Sequence, residues 1–290
     1  TTTNTSLSQM LQGKIPGLQI RQNAGAPGDF NSMINIRGFG APLYVIDGIP
    51  RDDGSFFQRL NPEEIESISV IKDASAAIYG LRAANGVIIV TTKKGGKGKT
   101  TFNYTGVVGA QRPTDVPRMA NRAEWAQLRN DAAINAGGLP YFTKENLEQN
   151  LTGPSTDWYD ETMKKAGFQQ QHNISAMGGN DAVAYFANLG YVSEEGLLKS
   201  NDLSYKKYNF RTNLSATLSK HLKTEINLSG FYDKKQAPGQ NFYGIFAGTR
   251  TALPNEPVYA NNNPDYLALQ PYLNPVALSE RDLTGYVEDV

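Results

Sequence analysis

The chain has no cysteine among its 290 residues, so disulfides and thiolate metal sites are excluded. Histidine is nearly missing as well: His172 and His221 are the only two, far apart and each beside a strand end, which gives no metal constellation. Net charge is missing too. Lysine plus arginine and aspartate plus glutamate number 28 each, so no field of one sign recruits nucleic acid or an anionic membrane surface. No apolar run approaches the ~20 residues of a transmembrane helix. No signal peptide opens the chain, where Thr1 to Ser8 form a polar leader. What the chain has instead is 28 glycines, 15 tyrosines and 12 phenylalanines, a mix that favours β structure with many turns over a helical bundle.

Residues 1–95 read as a compact mixed α/β unit. Thr5 to Gly13 suits a short helix with Thr5 or Ser6 as N-cap and Leu7, Met10 and Leu11 on one face. Leu18 to Arg21 start a strand, GAPGDF (25–30) is a turn, and Ile34, Ile36 and Phe39 alternate with polar residues. PLYVIDGIP (42–50) is an apolar strand closed by the Asp47-Gly48 turn. In 65–94, Ile65 to Ile71 and Val87 to Val90 are strands, the second an unbroken apolar run of the kind that is buried on both faces. Ala74 to Tyr79 can turn as a helix whose exit Gly80 and Gly86 bracket. GGKGK (95–99) is a basic linker, and the domain boundary is expected there, giving domains 1–95 and 96–290.

Beyond it the parity changes. Tyr208, Phe210, Leu214, Ala216 and Leu218 share one face, opposite Asn209, Arg211, Asn213, Ser215 and Thr217. Leu222, Ile226, Leu228 and Tyr232 form a second apolar face, Val183 to Tyr191 a third, and Phe102, Tyr104 and Val108 a fourth, while 168–178 alternates more weakly. Each segment has the ~9–11 residues that a transmembrane strand needs. Tight joins at 179–181 and 219–221 alternate with long ones at 112–167, at 194–203 and after Gln236, the asymmetry of short periplasmic turns and long extracellular loops. A soluble antiparallel sandwich also alternates, but with shorter strands and without long excursions on one side only.

The words LQGKIPGLQI (11–20), INIRGFG (34–40), PLYVIDGIP (42–50), NPEEIESISVIKDASAAIYG (61–80) and RAANGVIIVTTKKG (82–95) carry a resemblance. In that order and spacing they resemble the plug domain of SusC/RagA-like TonB-dependent outer-membrane transporters. Arg37, Gly38, Asp47, Gly48, Lys72, Asp73, Gly80 and Gly86 are the motif positions within those blocks. The resemblance implies an α+β plug followed by antiparallel transmembrane β-barrel strands, in a barrel of about 22 strands. About five strands are legible here, and GYVEDV (285–290) does not look like a terminal one. Five strands cannot close a barrel, so the chain is expected to be the N-terminal part of a longer protein. The segment that contacts TonB is expected upstream of the plug, and nothing before Thr5 matches one.

Besides the two histidines, two features invite an enzymatic reading, and neither supports it. The GKGKT run at 96–100 lacks the earlier glycine of a phosphate loop, having Lys93 there, and leads into a strand. Asp52, Asp53 and Asn61 are weighed as ion ligands against ordinary solvated loop residues. No Ser/His/Asp or paired-carboxylate arrangement can be assembled, so no catalytic residue, metal or cofactor is assigned. For ligand binding, Arg51, Asp52 and Asp53 with Phe56 and Phe57 offer an aromatic platform with polar hands, suited to sugars or peptides; the alternative is that both rings pack the plug against the barrel. Trp158 and Tyr159 are a second candidate, weighed against an aromatic belt or a loop core. In the same loop Asn121 to Ala136 is expected as a helix, with Trp125 and Leu128 on the packed face. Gly38 suits a positive-φ turn, and Arg37 can neutralise a carboxylate inside the lumen.

The function so implied is outer-membrane TonB-dependent uptake of an oligosaccharide or peptide through a plugged barrel in contact with outer-membrane lipid. The resemblance further implies a TonB–ExbB–ExbD energy-coupling complex and a SusD-like surface lipoprotein as partners. A ligand-binding surface receptor or adhesin without transport, and a soluble periplasmic sensor module, are the other readings.

Overall fold

The computed structural model describes residues 6–22, 25–268, 274–280 and 286–289. Helix α1 (Leu7–Leu11) leads into a hairpin of β1 (Leu18–Arg21) and β2 (Met33–Ile36), paired antiparallel from Leu18 opposite Ile36 to Arg21 opposite Met33. Then follow β3 (Leu43–Ile46), β4 (Ile49–Arg51), α2 (Gly54–Gln58), β5 (Ile65–Ile71) and β6 (Val87–Thr92). These four strands form one sheet in the order β4-β3-β6-β5, with β3 and β6 parallel at its centre. Both central strands are covered on both faces, which is why their apolar runs do not alternate. Tyr44, Ile46, Ile88 and Val90 pack with Leu7, Ile34, Ile36 and Phe57 on one side. Leu43, Val45 and Val87 pack with Ala76 and Ala83 on the other.

Backbone geometry explains the turns. Asp47 and Gly48 both have positive φ, 48° and 85°, the requirement of a tight type I′ hairpin between β3 and β4. Arg37 and Gly38 repeat the pattern at 52° and 80°. The helix expected between β5 and β6 is a 3-10 helix (Ala74–Tyr79), followed by a second short one (Leu81–Ala83), with Gly80 at φ 78° between them. Phe39, beyond Ile36, is 70% exposed, because β2 ends at Ile36 and the Arg37-Gly38 turn redirects the chain.

The second sheet is a meander. β7 (Gly98–Gln111), β8 (Gly167–Gly179), β9 (Val183–Glu195), β10 (Ser204–Ser219) and β11 (Leu222–Ala237) each pair antiparallel with their sequence neighbours. A four-residue β12 (Tyr286–Asp289) adds to the edge, pairing with 234–237 of β11. The sequence pattern of GYVEDV gave no sign of that strand, since four backbone pairs need no alternation to form. The sheet remains open, as a partial barrel. No described helix is long and apolar enough to cross a membrane, which says nothing of strands.

One face of this sheet bears cross-strand rungs of graded character. The rung Phe102, Ala176, Ala187, Thr212 and Leu228 is followed by Tyr104, Ile174, Leu189, Phe210 and Gly230. Next comes Gly106, His172, Tyr191, Tyr208 and Tyr232, and the rings of His172, Tyr191 and Tyr208 lie 6.3 and 5.0 Å apart in sequence. Tyr104 stacks on His172 and its hydroxyl lies 2.8 Å from Nδ1. The large apolar side chains of this face are exposed, Leu189 at 64% and Leu228 at 58%. From Leu218 to Tyr208 the strand advances roughly 34 Å, or about 25 Å of height at the usual barrel tilt, which matches an apolar band ending in an aromatic girdle.

The long connections carry helices. Between β7 and β8 run α3 (Arg122–Asn135), α4 (Lys144–Thr152) and α5 (Trp158–Thr162); after β11 come α6 (Phe242–Thr251) and α7 (Pro275–Ser279). Helix α3 starts with a capping box in which Asn121 and Glu124 each accept the other's backbone N–H. Leu128, expected on its packed face, is 60% exposed; Ala126 and Asn130 are the buried stripe, and Trp125 sits edge-on to Phe142. The backbone N–H of Asn121, then Arg118, hold the Glu124 carboxyl below its usual range, so this contribution is present at neutral pH and lost as pH falls. Asn121→Ala is expected to cost about 1 kcal/mol of local helix stability. It should appear as faster amide exchange confined to the first turns of α3, and exchange unchanged there would refute the cap's role.

Candidate functional site

The packed N-terminal unit meets the second sheet through a buried polar seam. Asn61 caps the 3-10 turn Pro62–Glu64, its Oδ1 accepting from the Glu63 N–H at 3.0 Å, and that turn delivers Glu64 to the wall. Glu64 Oε2 accepts from Arg211 Nε at 2.7 Å, and Oε1 accepts from Asn188 Nδ2 at 3.1 Å and Asn209 Nδ2 at 2.5 Å. Arg211 also lies 3.6 Å from Asp47, whose carboxylate accepts from the Thr92 N–H and hydroxyl, both at 2.8 Å. Asn213 Nδ2 donates to the Thr92 hydroxyl at 2.9 Å and to the Lys93 carbonyl at 2.8 Å, and Asn61 Nδ2 donates to Asn173 Oδ1 at 2.5 Å. Alternate residues of β10 thus point at the N-terminal unit and the residues between them point out, as period-two geometry requires.

The chemistry is that of a latch. Glu64 and Arg211 are both 4% exposed, and each is compensated by the other with further hydrogen bonds. Removing one partner of such a pair leaves the other's buried charge uncompensated. Gly190 makes room for the seam: a Cβ there would lie 2.6 Å from Asn61 Nδ2 and 2.7 Å from Asn173 Oδ1. Towards the long loops, Lys207 donates to the Arg59 carbonyl, Tyr205 donates to Asp233 at 2.8 Å, and Phe30 meets the Tyr205 ring edge-on. Towards the short turns, Lys94 pairs with Glu225 at 2.8 Å and Lys97 with Asp181, while Gly95 lies directly on the Tyr185 backbone.

At the long-loop end the segment 25–30 is flanked by two cavities. One, of about 130 Å³, is lined by Gln9, Gln22, Asp29, Gln111, Gln169 and Glu194, with no lysine or arginine. The other, of about 450 Å³, is lined by residues that include Asn31, Lys235, Gln240, Asn241 and Tyr243.

The residues expected to bind ligand are not gathered into one surface. Arg51 lies over the Phe56 ring at 4.0 Å, and Asp52 pairs with Arg82 at 3.1 Å. Asp53 caps α2, and its hydrogen bonds from the Ser55 hydroxyl and N–H hold its carboxyl below the usual range. Phe56 reaches the wall, 6.4 Å from Phe231, whereas Phe57 is fully buried and stacked 4.9 Å from Tyr44, which corrects its place in the platform. Trp158 is likewise buried, its Nε1 donating to the Leu253 carbonyl at 2.8 Å, so it is loop core; Tyr159 is edge-on to Phe246. Lys72 donates to the Pro16 carbonyl and Asp73 caps the helix after it through Ser75. Gly86, at φ 96°, is pressed under Ile36, where a Cβ would lie 2.8 Å from its Cδ1. Arg37 is exposed in its turn, so the arginine that neutralises a lumen carboxylate is Arg211. Among the described residues no group of three metal-ligating side chains assembles. Glu64, Asn188 and Arg211 were not singled out as a site, and Asn61 was weighed only as an ion ligand, although the polar parity of Asn209, Arg211 and Asn213 carried a signal for it.

Residues 1–87 match the TonB-dependent Receptor Plug Domain family. Over 93% of its length the chain is similar, at 34% identity, to TonB-dependent receptor P26 of Formosa agariphila, covering 28% of that protein. Over 90% it is 33% identical to TonB-dependent receptor SusC of Bacteroides thetaiotaomicron, covering 26% of it. Its fold resembles a chain of the RagAB peptide importer in the "open-open" state, with a TM-score of 0.76 and 24% identity, over 94% of this chain and 34% of that one. The chain therefore spans about a quarter of the length of these curated relatives, which are named as receptors rather than enzymes.

Proposed function

This chain belongs to the SusC/RagA-like TonB-dependent receptors, as plug and first barrel strands, and from that premise we propose that the complete protein imports a polar nutrient across a bacterial outer membrane. In this reading residues 1–95 are the plug, and 96–290 begin the barrel with its long loops outside. The observation that carries it is the buried seam of Glu64, Asp47 and Asn61 with Arg211, Asn188, Asn209 and Asn213. A gate has to be held shut yet be separable. A polar seam meets both needs, because water can take over each hydrogen bond once the plug moves, which no hydrocarbon contact allows. Ligand arrives at the long-loop end, beside segment 25–30. Force applied from the periplasmic side by a TonB–ExbB–ExbD complex parts the seam and opens the polar lumen.

The cargo is an oligosaccharide or a peptide. The peptide is supported by RagAB's description as a peptide importer, and the oligosaccharide is what the family resemblance implies. The amide and carboxylate lining of the smaller cavity suits hydroxyl and amide groups rather than anions. A SusD-like surface lipoprotein is the partner this reading assigns over the loops. The test is labelled oligosaccharide and peptide uptake in cells with and without the energy-coupling complex. Surface binding that persists while uptake is lost supports the transporter. Accumulation that is equal in both strains means a receptor without active transport.

A further inference from the structure

Lys207 on β10 is 4% exposed, and a buried ammonium is costly unless its charge and its donors are met. One of its three N–H donors goes to the Arg59 carbonyl, a neutral acceptor. Two of the carboxylates that attract it are engaged elsewhere, Glu64 by Arg211 and two asparagines and Asp233 by the Tyr205 hydroxyl. Arg59, on the plug side, is in a similar position. Among the described residues its buried Nε finds no hydrogen-bond partner, and it stands 3.8 Å from Asp233, beyond hydrogen-bonding distance. Both cations line one cavity of about 260 Å³ between plug and wall, together with Phe56, Asn209, Ser229 and Phe231. The Arg59 guanidinium lies 5.6 Å and the Lys207 ammonium 5.9 Å from the centroid of the Phe231 ring. Phe56, Arg59 and Phe231 are part-exposed, so solutes reach this cavity. It is the chemical opposite of the cavity beside segment 25–30, which has no lysine or arginine.

We propose that Arg59 of the plug and Lys207 of the wall form a binding site for a carboxylate carried by the cargo, with Phe56 and Phe231 as the apolar surface beside it. The proposal rests on the transporter reading above and narrows its substrate class to acidic cargo, a uronate-bearing oligosaccharide or a peptide with a free carboxylate. A carboxylate is the occupant because its two oxygens accept from both unmet cationic donors and its charge offsets theirs, whereas a hydroxyl meets the donors alone. Asn209 and Ser229 are left for the neutral polar groups around it. The site takes one cation from each side of the seam, so it exists only while the plug is seated. Movement of the plug separates Arg59 from Lys207 and frees the carboxylate in the step that opens the lumen.

The complete protein in mild detergent is to be offered a mixture of oligosaccharides and peptides, each present as the free acid and as its neutral methyl ester, with the retained members identified by mass spectrometry. Free acids should be enriched about tenfold over their esters, and acetate, but not acetamide, should compete with them. Whether the enriched acids are uronates or peptides identifies the source of the carboxylate. The enrichment should vanish in Lys207→Met and survive in Lys207→Arg, with β5 and β6 amide exchange at the wild-type rate showing that the plug is seated. Esters retained as well as acids, no member retained, equal competition by acetate and acetamide, or enrichment unchanged in Lys207→Met overturns the carboxylate site. The wild-type comparisons decide this even if a variant fails to fold. Free acids that bind but accumulate equally in cells with and without the energy-coupling complex overturn the transporter reading instead, and leave the site as that of a receptor.

Discussion

Replacing Arg211 by alanine is expected to loosen the plug by about 3–5 kcal/mol, the usual effect of stranding one member of a buried ion pair. Glu64 would keep only its two asparagine donors, and Asp47 would lose its neighbouring guanidinium. Amide exchange in β5 and β6 of the complete protein should then accelerate by at least about a hundredfold, at roughly 1.4 kcal/mol per tenfold. Outer-membrane permeability to large polar antibiotics should rise with it. Removing both charges, as Glu64→Gln with Arg211→Leu, should cost less than Arg211→Ala alone, because the Glu64 charge is no longer stranded, while Asp47 keeps its two Thr92 donors in both variants. Exchange in Arg211→Ala within twofold of wild type would show that the seam does not hold the plug.

Phe57→Ala is expected to have a comparable effect for a different reason. Its ring is fully buried against Tyr44 and within the core formed by Leu7, Ile36, Leu60 and Val90. Deleting it leaves a cavity costing about 3–5 kcal/mol. Phe56→Ala, at a half-buried ring against Phe231, should cost much less. The measurement is denaturant-dependent exchange of the β3 amides in both variants. If Phe57→Ala leaves those amides protected and instead weakens ligand affinity, Phe57 is a binding residue and its burial has been misjudged. The contrast separates the two roles that a sequence reading gives equally to both rings.

How far the site could be foreseen follows from what each pattern encodes. The double glycine-bearing turns were legible because positive φ leaves a residue-type signature at Gly38 and Gly48. The 3-10 helices at 74–83 read as a single helix because apolar spacing does not distinguish one helical pitch from another over so few residues. Leu128 was misplaced because a short apolar match does not fix the facing element.

The sequence by itself determined the meander, the unalternating strands at the centre of the plug, and which residues of β10 share a face. Backbone geometry enforces that parity whatever the neighbour. Only the tertiary structure decided which charges meet. Glu64 and Arg211 lie 147 residues apart, and Asn61 and Asn173 lie 112 apart. Parity says that Arg211 points inward, but not that Glu64 waits there while Arg37 stays in solvent. That pairing depends on where the whole plug sits against the wall, a position set by the sum of contacts along the seam and by no single stretch of chain.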